Sequence, residues 1–202
     1  MHLSSLDNMR AFRDRHLAAL AGKSLTIVDL GSTEMGACYR PIFINPNWHY
    51  IGIDLTPGPN VDVVLRHAYA WREIPSNSVD VLISGQVLEH VEYFWLTALE
   101  ISRVLKPGGL ACLIVPSSGP EHRYPTDCWR FYPDGMNALA KFSRLMPVDI
   151  QTHWENTGDP GSDCWHDSVL VAQKPHRSIV KGTIIRLLQA VQSMTLRIGL
   201  KP

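Results

Sequence analysis

The sequence predicts one doubly wound α/β domain built on a mostly parallel seven-stranded sheet with helices on both faces. Three observations predict it. Short apolar runs of β character alternate with helical stretches along most of the chain, the rhythm of a parallel sheet covered on both sides. The early runs end on glycine or aspartate, which suits strands that stop at a functional edge. The chain has 202 residues and is 45% hydrophobic, enough for one sizeable core.

The elements follow in order. Residues 9–21 carry helical spacing and read as a first helix. Residues 25–30 form a short buried strand that stops at Gly31, 50–54 a second, 61–65 a third and 79–84 a fourth. A long helix is expected over about 86–105. It should end before Lys106, Pro107, Gly108 and Gly109, because proline and glycine break helices. Residues 110–115 make a fifth strand. The stretch 116–133 holds four prolines and the polar cluster His122, Arg123, Tyr124, Asp127, Trp129 and Arg130, and reads as a long functional loop. A helix is expected from Asp134, whose carboxylate suits an N-cap. Residues 148–154 and 168–173 read as two closing strands, a hairpin pair at one sheet edge.

Composition excludes several classes. Lys+Arg and Asp+Glu are equal at 19, and a neutral chain is a poor general nucleic-acid binder. The four cysteines form no CxxC pair, which argues against structural zinc. The first twenty residues lack a secretory apolar segment, and no apolar run reaches membrane-spanning length. A reduced cytoplasmic protein without stable membrane insertion is expected. Residues 1–175 read as the domain and 176–202 as a basic amphipathic C-terminal helix. That tail suits internal packing, a homodimer contact or a membrane surface, since residues 168–202 contain no acid but include Lys174, Arg177, Lys181, Arg186, Arg197 and Lys201.

A ligand in an open α/β sheet sits where strand carboxyl ends meet helix N-termini. Asp29, Leu30, Gly31 and Ser32 lie at the end of the first strand. Gly31 permits a tight turn, and Gly36 permits a helix to start close to a ligand. Asp54 ends the second strand and can accept hydrogen bonds from ribose hydroxyls, or simply cap a turn before Pro57. No phosphate-binding GxGxxG or P-loop is present. Together the glycine turn and the strand-end acid point to a nucleoside-type ligand.

The ordered set of residues 27–31, 50–54, 78–84, 86–91 and 102–109 resembles the class I S-adenosylmethionine-dependent methyltransferases, close to the methyltransferase type 11 group. Leu88-Glu89-His90-Val91 followed by Arg103 to Gly109 is the most specific part. The resemblance implies a Rossmann-like sheet and S-adenosylmethionine as cofactor. Asp29, Gly31 and Ser32 would cradle the methionine part. Asp54 would hold the ribose hydroxyls, with Leu55 against the adenine. His67, Ala68 and Tyr69 would line the adenine, and Gln86 would sit near the sulfonium. The chain departs from the family in its first loop, where Thr33, Glu34 and Met35 stand in a usually glycine-rich stretch. It departs again at His67, which replaces the usual acid beside the adenine.

Methyl transfer to a hydroxyl needs a positioned acceptor and a route for its proton. His90, His122 and Asp127 are the candidate catalytic residues. Each has an ordinary alternative, His90 as a packed histidine and the loop residues as routine loop polarity. The loop 121–135 resembles that of enzymes that accompany glycan building. Tyr124, Trp129 and Tyr132 would stack on sugar faces, Arg130 and Asp127 would bind hydroxyls, and Glu89 would be a further substrate contact; Trp129 and Phe131 equally suit anchoring of the loop in the core. The expected function is O-methylation of a small acceptor, most readily a carbohydrate, as in the sugar O-methyltransferases of mycobacterial methylmannose polysaccharide synthesis. A divalent metal such as magnesium would assist if Glu89, His122 and Asp127 supplied ligands. The alternatives are a methyltransferase for a lipid, quinone or other natural product, and a non-catalytic subunit that keeps the cofactor fold for binding.

Overall fold

The computed structural model describes residues 2–176 and, beyond them, residues 184, 187, 188, 190–192, 194 and 195. Seven strands form one sheet: β1 (Leu25–Leu30), β2 (Trp48–Asp54), β3 (Val63–Val64), β4 (Val79–Gly85), β5 (Leu105–Pro116), β6 (Met146–Thr152) and β7 (Asp167–Gln173). Their spatial order is β3-β2-β1-β4-β5-β7-β6. The first five pair in parallel, and β7 runs antiparallel to both β5 and β6. The order reverses at β1, so the carboxyl ends of β1, β2 and β4 open a crevice there.

Alternation along β1 divides the core. Ile27 faces α1 (Leu3–Phe12) with Met9, Phe12, Tyr39 and Phe43. Val28 and Leu30 face the other layer with Leu82, Ile101 and Leu113. That layer carries α2 (Phe94–Val104) and α3 (Pro133–Phe142). Strands β1, β4 and β7 are buried almost throughout, as a sheet covered on both faces requires.

Several elements differ from expectation, each for a local reason. Helix α1 starts at Leu3, and only a π-helical turn (Arg13–Leu17) and a 3₁₀ turn (Ala18–Leu20) extend it. Its early start is anchored by Ser4 and Ser5, which bond Asp167 and Tyr39. No helix begins at Gly36. The chain stays irregular to a single 3₁₀ turn, Arg40–Phe43, because Gly36 has φ +83° and Pro41 and Pro46 break the stretch. The expected helix over 86–105 is a 3₁₀ turn (Leu88–His90) followed by α2. Gln86 has φ +59°, and the Glu89 carbonyl accepts from Cys128 N (2.7 Å), which diverts it from an intrahelical bond.

The helix stop before Lys106 is present, but Lys106 to Gly109 then belong to β5, where Gly108 N bonds Lys174 O at 2.7 Å. Strand β3 is cut to two residues, since the Asp62 carboxylate is taken by Gly52 N and Arg40. Asp134 does not cap α3: Tyr132 is the N-cap, without a side-chain bond, and Pro133 fills the first turn. A short helix, α4 (Pro160–Asp163), lies between β6 and β7, with Asp159 as its cap. The tail reading at Arg177, Lys181, Arg186, Arg197 and Lys201 lies outside the described residues.

Candidate cofactor and acceptor site

At the β1 end, Gly31 has φ +76° and donates to Ile53 O (2.9 Å). A Cβ there would lie 2.2 Å from Val87 Cγ2, so the turn demands glycine. Asp29 is buried and accepts a hydrogen bond from Tyr50 OH, over whose ring the Arg40 guanidinium sits at 4.5 Å. Burial pushes the Asp29 carboxyl up to about 7 against the opposing Tyr50 bond, and the same burial raises the Tyr50 phenol. Ser32 Oγ and Thr33 Oγ1 are buried without hydrogen-bond partners. Asp54 accepts from Thr33 N and Thr56 N, each at 3.2 Å, which leaves lone pairs on both oxygens.

The rest of this half is uneven. Leu55 is 51% exposed at the rim. His67 Nδ1 accepts from Tyr69 N (3.0 Å), and Ala68 O accepts from Trp71 Nε1 (2.9 Å). Tyr69 is buried with Leu96 and Leu99, its hydroxyl accepting from Tyr93 N at 3.4 Å. Its ring is therefore a packing element under the rim. Gly36 stands clear, with nothing near its missing Cβ.

Past the β4 end, a second group gathers. His90 Nδ1 lies 2.6 Å from Thr126 O, which fixes the proton on Nδ1 and leaves Nε2 a lone pair. That Nε2 is 3.7 Å from Glu89 Oε1. The His90 and His122 rings meet edge to face with centroids 4.8 Å apart. His122 Nδ1 is 3.3 Å from Asp127 Oδ2, and burial together with His90 lowers the His122 pKa. Glu89 is fully buried, neither carboxyl oxygen has a partner, and burial pushes it up to about 8.

Asp127 is committed elsewhere. Its oxygens accept from Arg130 NH1 (2.6 Å) and NH2 (2.8 Å) and from His122 N (2.7 Å), and Arg130 holds it well below the usual carboxylate range. Arg130 is committed with it and also donates to Pro120 O (2.8 Å). Trp129 donates through Nε1 to Val91 O (3.1 Å) and lies edge-on to Phe94, while Phe131 is buried against Phe94, so both anchor the loop. Tyr124 is exposed beside His90 and His122. Tyr132 is exposed and stacked on Trp154, at the far side of the loop.

Sequence reasoning missed Asp167. It is buried at the start of β7 and accepts from Gln86 Nε2 (3.0 Å), Ser4 Oγ (2.9 Å) and His2 Nε2 (2.9 Å). A lone acid before an apolar strand carries no signal of such convergence. Asp167 also lines a cleft of about 580 Å³ whose walls include Asp7, Trp154, Thr157, Asp163 and His166. Gln86 thus joins the carboxyl end of β4 to a residue of this cleft.

Residues 16–113 match the family described as "Methyltransferase domain". An uncharacterized methyltransferase of Mycolicibacterium gilvum is 31% identical over 101 residues, covering 45% of this chain and 39% of that protein. The chain spans between 37% and 55% of the length of the five methyltransferase relatives it matches. Among solved structures, the Burkholderia thailandensis 1,6-didemethyltoxoflavin N1-methyltransferase superposes with TM-score 0.61 at 18% identity, covering 86% of this chain and 80% of its own. A SAM-dependent methyltransferase from Aquifex aeolicus gives TM-score 0.61 at 14% identity, covering 85% and 92%. The residues present fit S-adenosylmethionine: Ser32 and Thr33 offer unsatisfied hydroxyls, Asp54 offers free lone pairs, and Leu55 offers an apolar rim. Residues 16–113 thus match a methyltransferase domain, and the seven-stranded fold is shared with solved S-adenosylmethionine-dependent methyltransferases.

Proposed function

We propose that the protein transfers the methyl group of S-adenosylmethionine to a hydroxyl of a small polyhydroxylated acceptor, a sugar or oligosaccharide. When bound, S-adenosylmethionine supplies a methyl already activated as a sulfonium, so attack by oxygen forms the O–CH₃ bond while the C–S electron pair returns to sulfur. The protein's work is to hold the oxygen in line and receive its proton. The observation that carries the reading is Gln86: it follows β4, at the cofactor crevice, and its side chain bonds Asp167, which lines the polar and aromatic cleft. His90 and His122 follow Gln86 in sequence or lie across the loop, and either imidazole would receive the hydroxyl proton. Asp127 and Arg130 hold His122 in place. The four cysteines are free, which supports a reducing, cytoplasmic setting.

A second reading is favoured by one observation each way. Ile184, Leu187, Leu188, Val191 and Met194 are exposed and follow the domain we place at 1–175, which supports a lipid acceptor or a dimer contact for the 176–202 tail. No helix among the described residues is long and apolar enough to cross a membrane. The irregular segment after Gly31 instead supports a non-catalytic binding subunit, since it lacks the helix N-terminus expected at the methionine end. The test is calorimetry with S-adenosylmethionine, then an acceptor screen with labelled cofactor. Saturable binding and label transfer to mono- or oligosaccharides are expected. Label only in lipid would move the acceptor class, and no cofactor binding would leave the non-catalytic reading standing.

A further inference from the structure

We propose that Glu89, His90 and His122 bind one divalent transition-metal ion through a carboxylate oxygen and two imidazole nitrogens. One ligand atom from each residue lies within 4.8 Å of the other two. Ligands about 2.0–2.1 Å from a tetrahedral ion stand roughly 3.3 Å apart, and Glu89 and His90 are already near that spacing at 3.7 Å. From a widest separation of at most 4.8 Å, side-chain adjustments of about 1.5 Å close the set.

Three features separate this cluster from ordinary polar packing. Glu89 is fully buried, and both its oxygens lack a partner. Burying a carboxyl that bonds nothing is costly, protonated or not, and a cation at this point removes the cost. Second, His90 gives its Nδ1 proton to the Thr126 carbonyl, the outer bond that holds metal-binding histidines in the right tautomer. Third, His122 Nδ1 is itself buried without a hydrogen-bond partner, 3.3 Å from the Asp127 carboxylate, so the cluster holds a second unsatisfied polar group. The Arg130 charge, which would repel a cation, is spent on Asp127.

Two imidazoles and one carboxylate suit zinc, cobalt(II) or iron(II) rather than magnesium, which prefers an all-oxygen shell. Three protein ligands leave open positions, as catalytic ions require. Resting on the proposed methyl transfer, such an ion would bind the acceptor oxygen, lower its pKa and let its proton leave to water before the O–CH₃ bond forms. The histidines then act as ligands.

The test reads binding before turnover. Full-length protein stripped with a chelator is titrated with Co²⁺ and followed by visible absorption, then with Zn²⁺ by calorimetry. One equivalent is expected, with affinity weakened at least tenfold in Glu89→Gln and in His122→Asn, and with Mg²⁺ failing to compete. X-ray absorption of the zinc-loaded wild type should show two imidazoles and needs no variant to fold. The proposal is overturned by absence of stoichiometric binding, by binding that ignores both folded variants, or by fewer than two imidazoles at the ion. Metal binding without methyl transfer would sink the methyltransferase reading alone. Turnover in metal-free protein would sink the ion's part in the reaction alone.

Discussion

Gln86 Nε2 donates to Asp167 Oδ1 at 3.0 Å, tying the carboxyl end of β4 to the start of the antiparallel β7. The same carboxylate receives His2 and Ser4 from the N-terminal segment, so one acid closes three pieces of chain. Asp167→Asn keeps the shape but turns one acceptor oxygen into a donor. It should cost about 1.5–3 kcal/mol, the range for buried hydrogen bonds to a charged group. Denaturant unfolding checks it, and a variant as stable as wild type would show the network to be idle.

Gly31 makes a sharper prediction. Its φ of +76° already penalises any side chain, and a Cβ would meet Val87 Cγ2 at 2.2 Å. Gly31→Ala should destabilise the fold by about 1–3 kcal/mol and weaken cofactor binding with it. In Gly31→Ala/Val87→Ala the clash is gone and the backbone strain stays. The measured coupling between the two changes should therefore be favourable; purely additive losses would mean that Val87 yields freely.

The succession of strands and their stops at Gly31 and Asp54 were legible in the sequence because parallel strands buried on both faces write continuous apolar runs that end at turns. The segments read wrongly are those where tertiary contacts override local pattern. Helical spacing over 86–105 is real, yet Gln86 takes a left-handed φ and Cys128, far along the chain, claims the Glu89 carbonyl. Gly36 permits a helix start that the prolines after it prevent. Asp127 reads as reactive in sequence, and only the structure shows Arg130 holding both its oxygens. Asp167 could not be found at all, since its partners come from residues 2, 4 and 86.

Asp29 should give stability a pH dependence. Burial raises its folded pKa to about 7 from 3.8, so between those values the folded state holds the proton more tightly than the unfolded chain. Its contribution is full below about pH 4 and is lost as pH rises to 7, by at most about 4 kcal/mol. Asp29→Asn should flatten that slope when urea unfolding is compared at pH 5 and pH 8. A slope unchanged in the variant would assign it to other groups.

Asp54 keeps lone pairs beyond its two backbone bonds. Asp54→Ala should weaken S-adenosylmethionine binding by about 1.5–3 kcal/mol, roughly 10- to 150-fold in Kd, as ribose hydroxyls lose a charged acceptor. Calorimetry on folded variant decides it. An unchanged Kd would move the ribose away from the β2 end.

The acceptor side is tested by His90 and His122. A sugar hydroxyl is far too weak an acid to ionise unaided near neutral pH, so removing the group that takes its proton should show in kcat. His122→Ala and His90→Ala should each depress turnover by about 10²–10⁴-fold while cofactor affinity stays nearly intact. The two histidines meet at 4.8 Å and share Glu89 as neighbour, so the double variant should lose little more than the worse single one. Chelation then separates the routes. If an ion on Glu89, His90 and His122 activates the hydroxyl, stripping it abolishes turnover and Co²⁺ restores it. If an imidazole takes the proton directly, chelator leaves the rate alone and the histidine variants still fail. Near-normal turnover in both single variants, with chelator inert, would leave positioning by Gln86 and Asp167 as the source of the rate and remove both histidines from the chemistry.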